Sequence, residues 1–122
     1  MKSLVATLIL FVVLLCSVIA NFFFINHVAD TMEHMIEGLP PVTAETCVNS
    51  AQEIQTYWND RINLISLSVG YNIIDRVCEQ LALLVACAEI QDLYGYQSAR
   101  ALLLDAIEDA RRTERFSIGN IL

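Results

Sequence analysis

Polar side chains and charge are nearly absent from the first part of the chain. From Leu4 to Ile25 the sequence reads LVATLILFVVLLCSVIANFFFI, with no charged residue, no Gly and no Pro. As an α-helix this stretch would extend about 33 Å, against a bilayer hydrocarbon core of about 30 Å. Beyond Ile25 the pattern changes. Apolar residues now recur at three- and four-residue spacing with charges between them, which is the signature of amphipathic helices. No strand-like alternation occurs.

Four segments follow from this pattern. Asn26 to Leu39 continues as a helix with Val28, Met32, Met35 and Leu39 on one face. Gly38-Leu39-Pro40-Pro41-Val42 breaks it, because two prolines cannot continue the hydrogen-bond ladder. A second helix is predicted from Ala44 to Val69, capped by Thr43, with a stripe of Cys47, Ala51, Ile54, Trp58, Ile65 and Val69. Gly70 ends it. A third helix is predicted from Asn72 to Leu93, burying Ile73, Ile74, Val77, Cys78, Leu81, Leu84, Val85 and Ala88. Tyr94-Gly95-Tyr96 is read as the turn. A fourth helix from Gln97 to Glu114 buries Ala99, Leu102, Leu103, Ala106, Ile107 and Ala110. Its polar face carries Asp105, Glu108, Asp109, Arg111, Arg112 and Arg115, with acids early and Arg late as the helix dipole favours.

The expected fold is therefore all-α: an N-terminal transmembrane helix followed by a small antiparallel three-helix bundle. The expected division is 1–25 for the anchor, 26–42 for a juxtamembrane helix and Gly/Pro linker, and 43–122 for the bundle with an apolar tail. In that tail Phe116, Ile118, Ile121 and Leu122 carry too much apolar surface to sit in water. Phe116 is expected to fold back on the second or third helix, the alternative being that the tail forms a docking strip for a partner. A bundle of this size has a marginal core, so self-association or packing on a membrane-protein partner is expected.

Charge narrows the partners. Residues 26–122 hold six Arg, no Lys and all fourteen acids, a net charge of −8. Such a surface repels phosphate backbones, and no nucleic-acid binding is expected. Lys2 precedes the apolar run, whereas Asp30, Glu33 and Glu37 follow it. The positive-inside rule then puts the N-terminus in the cytoplasm and the remainder outside, with the lipid bilayer contacted through residues 4–25. The alternative is a secreted helical protein whose signal peptide is cleaved near Val18-Ile19-Ala20. Phe22-Phe23-Phe24-Ile25 argues against it, since the apolar run outlasts an ordinary signal peptide. Leu14-Leu15-Cys16 lacks the small residue that a lipoprotein site wants before its Cys.

Candidate chemistry is sparse. His27, Asp30, His34 and Glu37 form a polar stripe of metal-ligand residue types. That raises an alternative function, an extracytoplasmic metal- or ligand-sensing domain. The two His residues lie two turns apart, however, unlike the one-turn spacing of HExxH, and a solvated face explains them as well. The cysteines are Cys16, Cys47, Cys78 and Cys87, with no CxxC pair. They read as small buried apolar residues, with a Cys47 bridge to Cys78 or Cys87 left open. Tyr57-Trp58 resembles a stacking pair, but Trp58 between Ile54 and Ile62 belongs to a core stripe. No catalytic, cofactor or metal residue is assigned, and no enzyme activity or cofactor is expected.

Several of these pieces together resemble a known family. Met1-Lys2-Ser3-Leu4 at the start of a single span, Trp58 in one helix, Asp75 in the next, and Ser117 with Asn120-Ile121-Leu122 at the close are similar to the domain-of-unknown-function family numbered 4363. Members of that family often carry a His one turn before the matching Asp. Tyr71 stands there in this chain, so no role for that His is carried over. The resemblance implies a small membrane-anchored helical protein of Firmicutes-like bacteria with no established activity. The expected function is a membrane-anchored helical interaction module, an accessory subunit of a bacterial membrane assembly.

Overall fold

A computed structural model describes residues 1–121, with side chains described through residue 113. Four helices account for nearly all of it: α1 (Lys2–Glu37), α2 (Cys47–Ile65), α3 (Tyr71–Glu89) and α4 (Leu93–Ile121). Among the described residues there is no strand. The helices form a helical bundle in which α1 packs on α2 and α4, and α3 packs on α2 and α4.

α1 passes the 25/26 boundary unbroken, as the expected continuation of the helix beyond Asn26 requires; the departure from expectation is that its residues 26–37 pack into the bundle. Neither Gly nor Pro interrupts Lys2–Glu37, so nothing in the sequence stops the hydrogen-bond ladder. Its two halves live in different surroundings. The apolar window in the first half is only 6 % buried within the protein, although it is long and apolar enough to cross a membrane. In the second half Ile25, Val28, Ala29, Met32 and Ile36 are buried in the bundle core. The bundle therefore takes its core from four helices rather than three. Residues 43–122 do not enclose it alone, because Met32 and Ile36 are fully covered by the other helices.

The stripe foreseen on α2 lies in the core: Cys47, Ala51, Ile54, Trp58, Ile65 and Val69 are all buried. The helix itself is shorter than expected at both ends. It starts at Cys47, after turns that run past Thr43, with Thr46 at its N-cap. It stops at Ile65, where Leu67, Ser68 and Val69 form successive turn hydrogen bonds to Leu64 and Ile65. Gly70, in extended conformation, then caps α3. On α3 the buried residues are Ile74, Val77, Leu81, Leu84, Cys87 and Ala88. Ile73, Cys78 and Val85 flank this stripe and are partly buried.

The α3–α4 connection falls earlier than expected, at Ile90-Gln91-Asp92 rather than at Tyr94-Gly95-Tyr96. Gln91 adopts a left-handed backbone with φ of 56°. That lets the Asp92 amide reach back to the Cys87 carbonyl at 2.9 Å and satisfies the end of α3. Asp92 then caps α4, its Oδ1 accepting from the Gly95 amide at 3.1 Å. Gly95 lies inside the first turn of α4 because space is short, not because the helix breaks there. A Cβ on it would come within 2.6 Å of Cys87 Sγ and 2.7 Å of Asp92 Oδ2.

On α4, Tyr96, Ala99, Leu103, Ala106, Ile107 and Ala110 are buried. Leu102, expected inside, is 50 % exposed, since it falls off the arc set by Ala99, Leu103 and Ala106. The backbone stays helical to Ile121, continuing well past the Glu114 end that was expected. The contacts expected of Phe116, Ile118, Ile121 and Leu122 lie outside the described residues.

Candidate functional site

The densest polar constellation lies on the seam between α1 and α4, and it centres on Arg111. Ala106 and Ala110 on α4 and Ala29 on α1 are small, which allows the two helices to approach closely at this level. Arg111 follows directly, one turn beyond Ile107. Its stem is covered, and the residue is only 8 % exposed. Its guanidinium meets three carboxylates. Nη2 donates to Asp30 Oδ1 at 2.7 Å and to Glu33 Oε2 at 2.9 Å; Nη1 donates to Glu108 Oε2 at 2.5 Å. Asp30 and Glu33 stand one turn apart on α1, and Glu108 stands one turn before Arg111 on α4. The spacing of both pairs follows from helical geometry.

Burial of the guanidinium works against its charge. Hydrogen bonds to Glu33 and Glu108, and the attraction of Glu108 and Asp30, outweigh that cost, so its pKa is raised above the ordinary Arg value. Arg111 is thus a fixed cation among three anions. Three of its five N–H donors are directed to these carboxylates. What it can do chemically is hold α1 and α4 at one register. Sequence reasoning placed Arg111 on the exposed face of α4. The signal that would have found it is positional: it continues the Ala99, Leu103, Ile107 row.

A second polar set ties the other end of α1 to α4. Tyr96 is buried, and its hydroxyl donates to the Pro40 carbonyl at 3.0 Å. Burial, followed by a hydrogen bond to Cys47, pushes the Tyr96 pKa up, against a smaller opposing effect of Arg100. Arg100 donates to the Glu37 carbonyl at 3.2 Å. Burial, and then the charge of Asp92, also push the Cys87 thiol up. Trp58, buried as expected along with Leu81, donates from Nε1 to Cys78 Sγ at 3.4 Å. All four cysteines are free thiols, so Cys47 is bridged to neither Cys78 nor Cys87.

The remaining candidates do not converge. His27 and His34 are exposed, and Asp30 has turned to Arg111. Among the described residues no group of three or more His, Cys, Asp or Glu is placed to hold a metal ion. Tyr57 carries Arg61 over its ring at 3.7 Å rather than offering a stacking surface. Beside Trp58 lies a cavity of about 10 Å³ lined by apolar residues including Ile25, Met32, Val69 and Ile107. That is room for about one water, and an apolar lining keeps such a space dry. It has no room for a substrate.

No protein-family model, no curated protein and no solved structure matches the chain.

Proposed function

We propose that this chain is a non-enzymatic, single-pass membrane-anchored interaction module. Residues 4–25 serve as a retained anchor, the N-terminus is cytoplasmic, and an antiparallel helical bundle stands at the outer membrane surface. The observation that carries this reading is α1. Its first half is apolar and almost wholly unpacked, while its second half supplies buried residues to the bundle. Surface of the first kind needs a lipid or apolar protein environment. The antiparallel arrangement is supported by cross-helix pairs: Glu37 with Arg100 and Asp30 with Arg111 on α1 and α4, and Arg76 with Asp109 on α3 and α4.

The bundle presents one surface suited to a protein partner at its far end. Ile90, Leu93 and Tyr94 are exposed there, interleaved with Glu89 and Asp92. An apolar socket rimmed by cations on another membrane protein would complement it. An accessory subunit of a membrane assembly fits these features.

The test has two parts. The full chain should stay with membranes through an alkaline carbonate wash at its full mass. A soluble product beginning near Asn21 would show a cleaved signal peptide instead. A photo-crosslinker placed at Tyr94 should capture a defined membrane protein in native membranes, and capture should fall when Ile90 is changed to Asp. Labelling that Ile90→Asp leaves unaltered would show that this end is not the docking surface.

A further inference from the structure

The opposite end of the bundle is apolar on its outside as well as its inside. Leu64, Leu67 and Tyr71 are 56 %, 80 % and 76 % exposed, and all three flank the α2–α3 turn. No charged residue occurs between Arg61 and Asp75. Turns normally face water and are polar. Both turns of this chain expose large apolar side chains, but the α3–α4 turn carries Glu89 and Asp92 among them, whereas the α2–α3 turn has only the uncharged Ser66 and Ser68.

Position explains the difference. Ile65 and Val69, on either side of Leu67, line the same small cavity as Ile25. Ile25 is the last residue of the apolar run, and α1 is unbroken there. The α2–α3 turn is therefore at the end of the bundle from which the span leaves. The backbone of α4 returns to that end as well. Arg111 meets Asp30 and Glu33, and the helix continues to Ile121. Ten further residues extend about 15 Å. In the antiparallel arrangement that brings the end of α4 level with the Ala20 to Phe23 region of α1. The sequence there, after Arg115, is again without charge.

We propose that the α2–α3 turn is a second membrane contact, in which Leu64, Leu67 and Tyr71 enter the headgroup–acyl boundary of the leaflet from which α1 emerges. This rests on the reading of α1 as a retained anchor. The occupant is lipid because the turn lies at the level of Ile25, at the end of the bundle from which the span leaves, and the span fixes its height at the bilayer surface. Leu side chains suit the upper acyl region, and Tyr suits the headgroup level. The patch is uncharged and the bundle around it is acidic. Its attachment is accordingly apolar, indifferent to salt, and not strengthened by anionic lipid.

The experiment uses the full chain in phosphatidylcholine vesicles. Leu67→Trp is made in a Trp58→Phe background, with Ile90→Trp in the same background as the far-end reference. Leu67→Trp with Trp58 retained serves if the background change disturbs folding, since buried Trp58 contributes a constant signal. Replacing the lipid with phosphatidylcholine brominated high on its acyl chains should remove most of the Leu67→Trp emission and leave Ile90→Trp unchanged. The Leu67→Trp emission should also lie to the blue and resist aqueous acrylamide. A chain that resists carbonate while Trp at 67 stays open to acrylamide and unquenched by bromolipid overturns the proposal and leaves the anchor standing. Shielding from both quenchers overturns it in favour of a second protein copy on this patch. Loss of the chain from the vesicles in carbonate removes the anchor and the proposal together.

Discussion

Removing the charge of Arg111 while keeping its stem isolates the seam between α1 and α4. Arg111→Met retains most of the covered aliphatic length, so packing changes little. What disappears is the cation, leaving Asp30, Glu33 and Glu108 facing one another. The magnitude can be bracketed. Losing one partner of a fully buried pair costs about 3–5 kcal/mol, whereas an exposed pair contributes about 0–1 kcal/mol. Here the guanidinium is covered, but the side chains of Asp30, Glu33 and Glu108 are 72 %, 39 % and 36 % exposed and can recover hydration. The expected loss is about 1.5–3 kcal/mol, between those limits. With a urea slope of about 1–3 kcal/mol per M, the midpoint should fall by about 1 M. The assay is urea unfolding of the full chain in mild detergent, followed by Trp58 emission. Adding Glu108→Gln to Arg111→Met should restore part of the loss, because it removes one of the three unbalanced charges. An Arg111→Met midpoint equal to that of the unaltered chain, with no effect of the second change, would refute the clamp.

Three further outcomes are expected. Trp58→Ala should cost about 3–5 kcal/mol, since it opens a cavity where Trp58 is 3 % exposed, and an unchanged melting temperature would contradict its place in the core. Gly95→Ala should destabilise by about 1–3 kcal/mol through clashes with Cys87 Sγ and the Asp92 carboxylate, and Cys87→Ala in the same chain should relieve only part of it; a denaturation midpoint equal to that of the unaltered chain would contradict the crowding. Folded Tyr96 and Cys87 hold their protons more tightly than in the unfolded chain, so their contribution is fully present below the ordinary pKa values and is lost as pH climbs through the raised ones. Stability should therefore decline from about pH 8.5 for Cys87 and from about pH 10 for Tyr96. Tyr96→Phe should flatten the upper part of that decline in urea midpoints taken across alkaline pH, and a slope that Tyr96→Phe leaves unchanged would exclude it as the titrating group.

Much of the core was legible from periodicity. The α2 stripe from Cys47 through Trp58 to Val69 lies inside as spacing required, and so do Val77, Leu81, Leu84, Leu103 and Ala110. Two kinds of feature were not legible. One is where the bundle begins. The helix was expected to continue past Asn26, but the change of composition there looks like a domain boundary, whereas Val28, Met32 and Ile36 join the bundle core. The other is any feature that depends on a neighbouring helix. Arg111 counts as a surface residue until Asp30 and Glu33 arrive from α1. Gly95 reads as a turn until Cys87 is seen to crowd it. The real turn was hidden because Gln91 takes a left-handed conformation that its residue type does not announce. His27 and His34 had suitable chemistry for a ligand, but their helix gives them no third group to converge with.

The absence of Gly and Pro from α1 has a mechanical consequence. Helices bend sharply at such residues or at inserted groups, and here a single stiff shaft runs from the apolar half into the core at Met32 and Ile36. A hydrophobic span adjusts to bilayer thickness chiefly by tilting. With the span in place as proposed, that tilt has no joint in which to be absorbed. It is passed to the bundle as a whole, so the thickness of the membrane sets the angle at which the bundle stands on the bilayer.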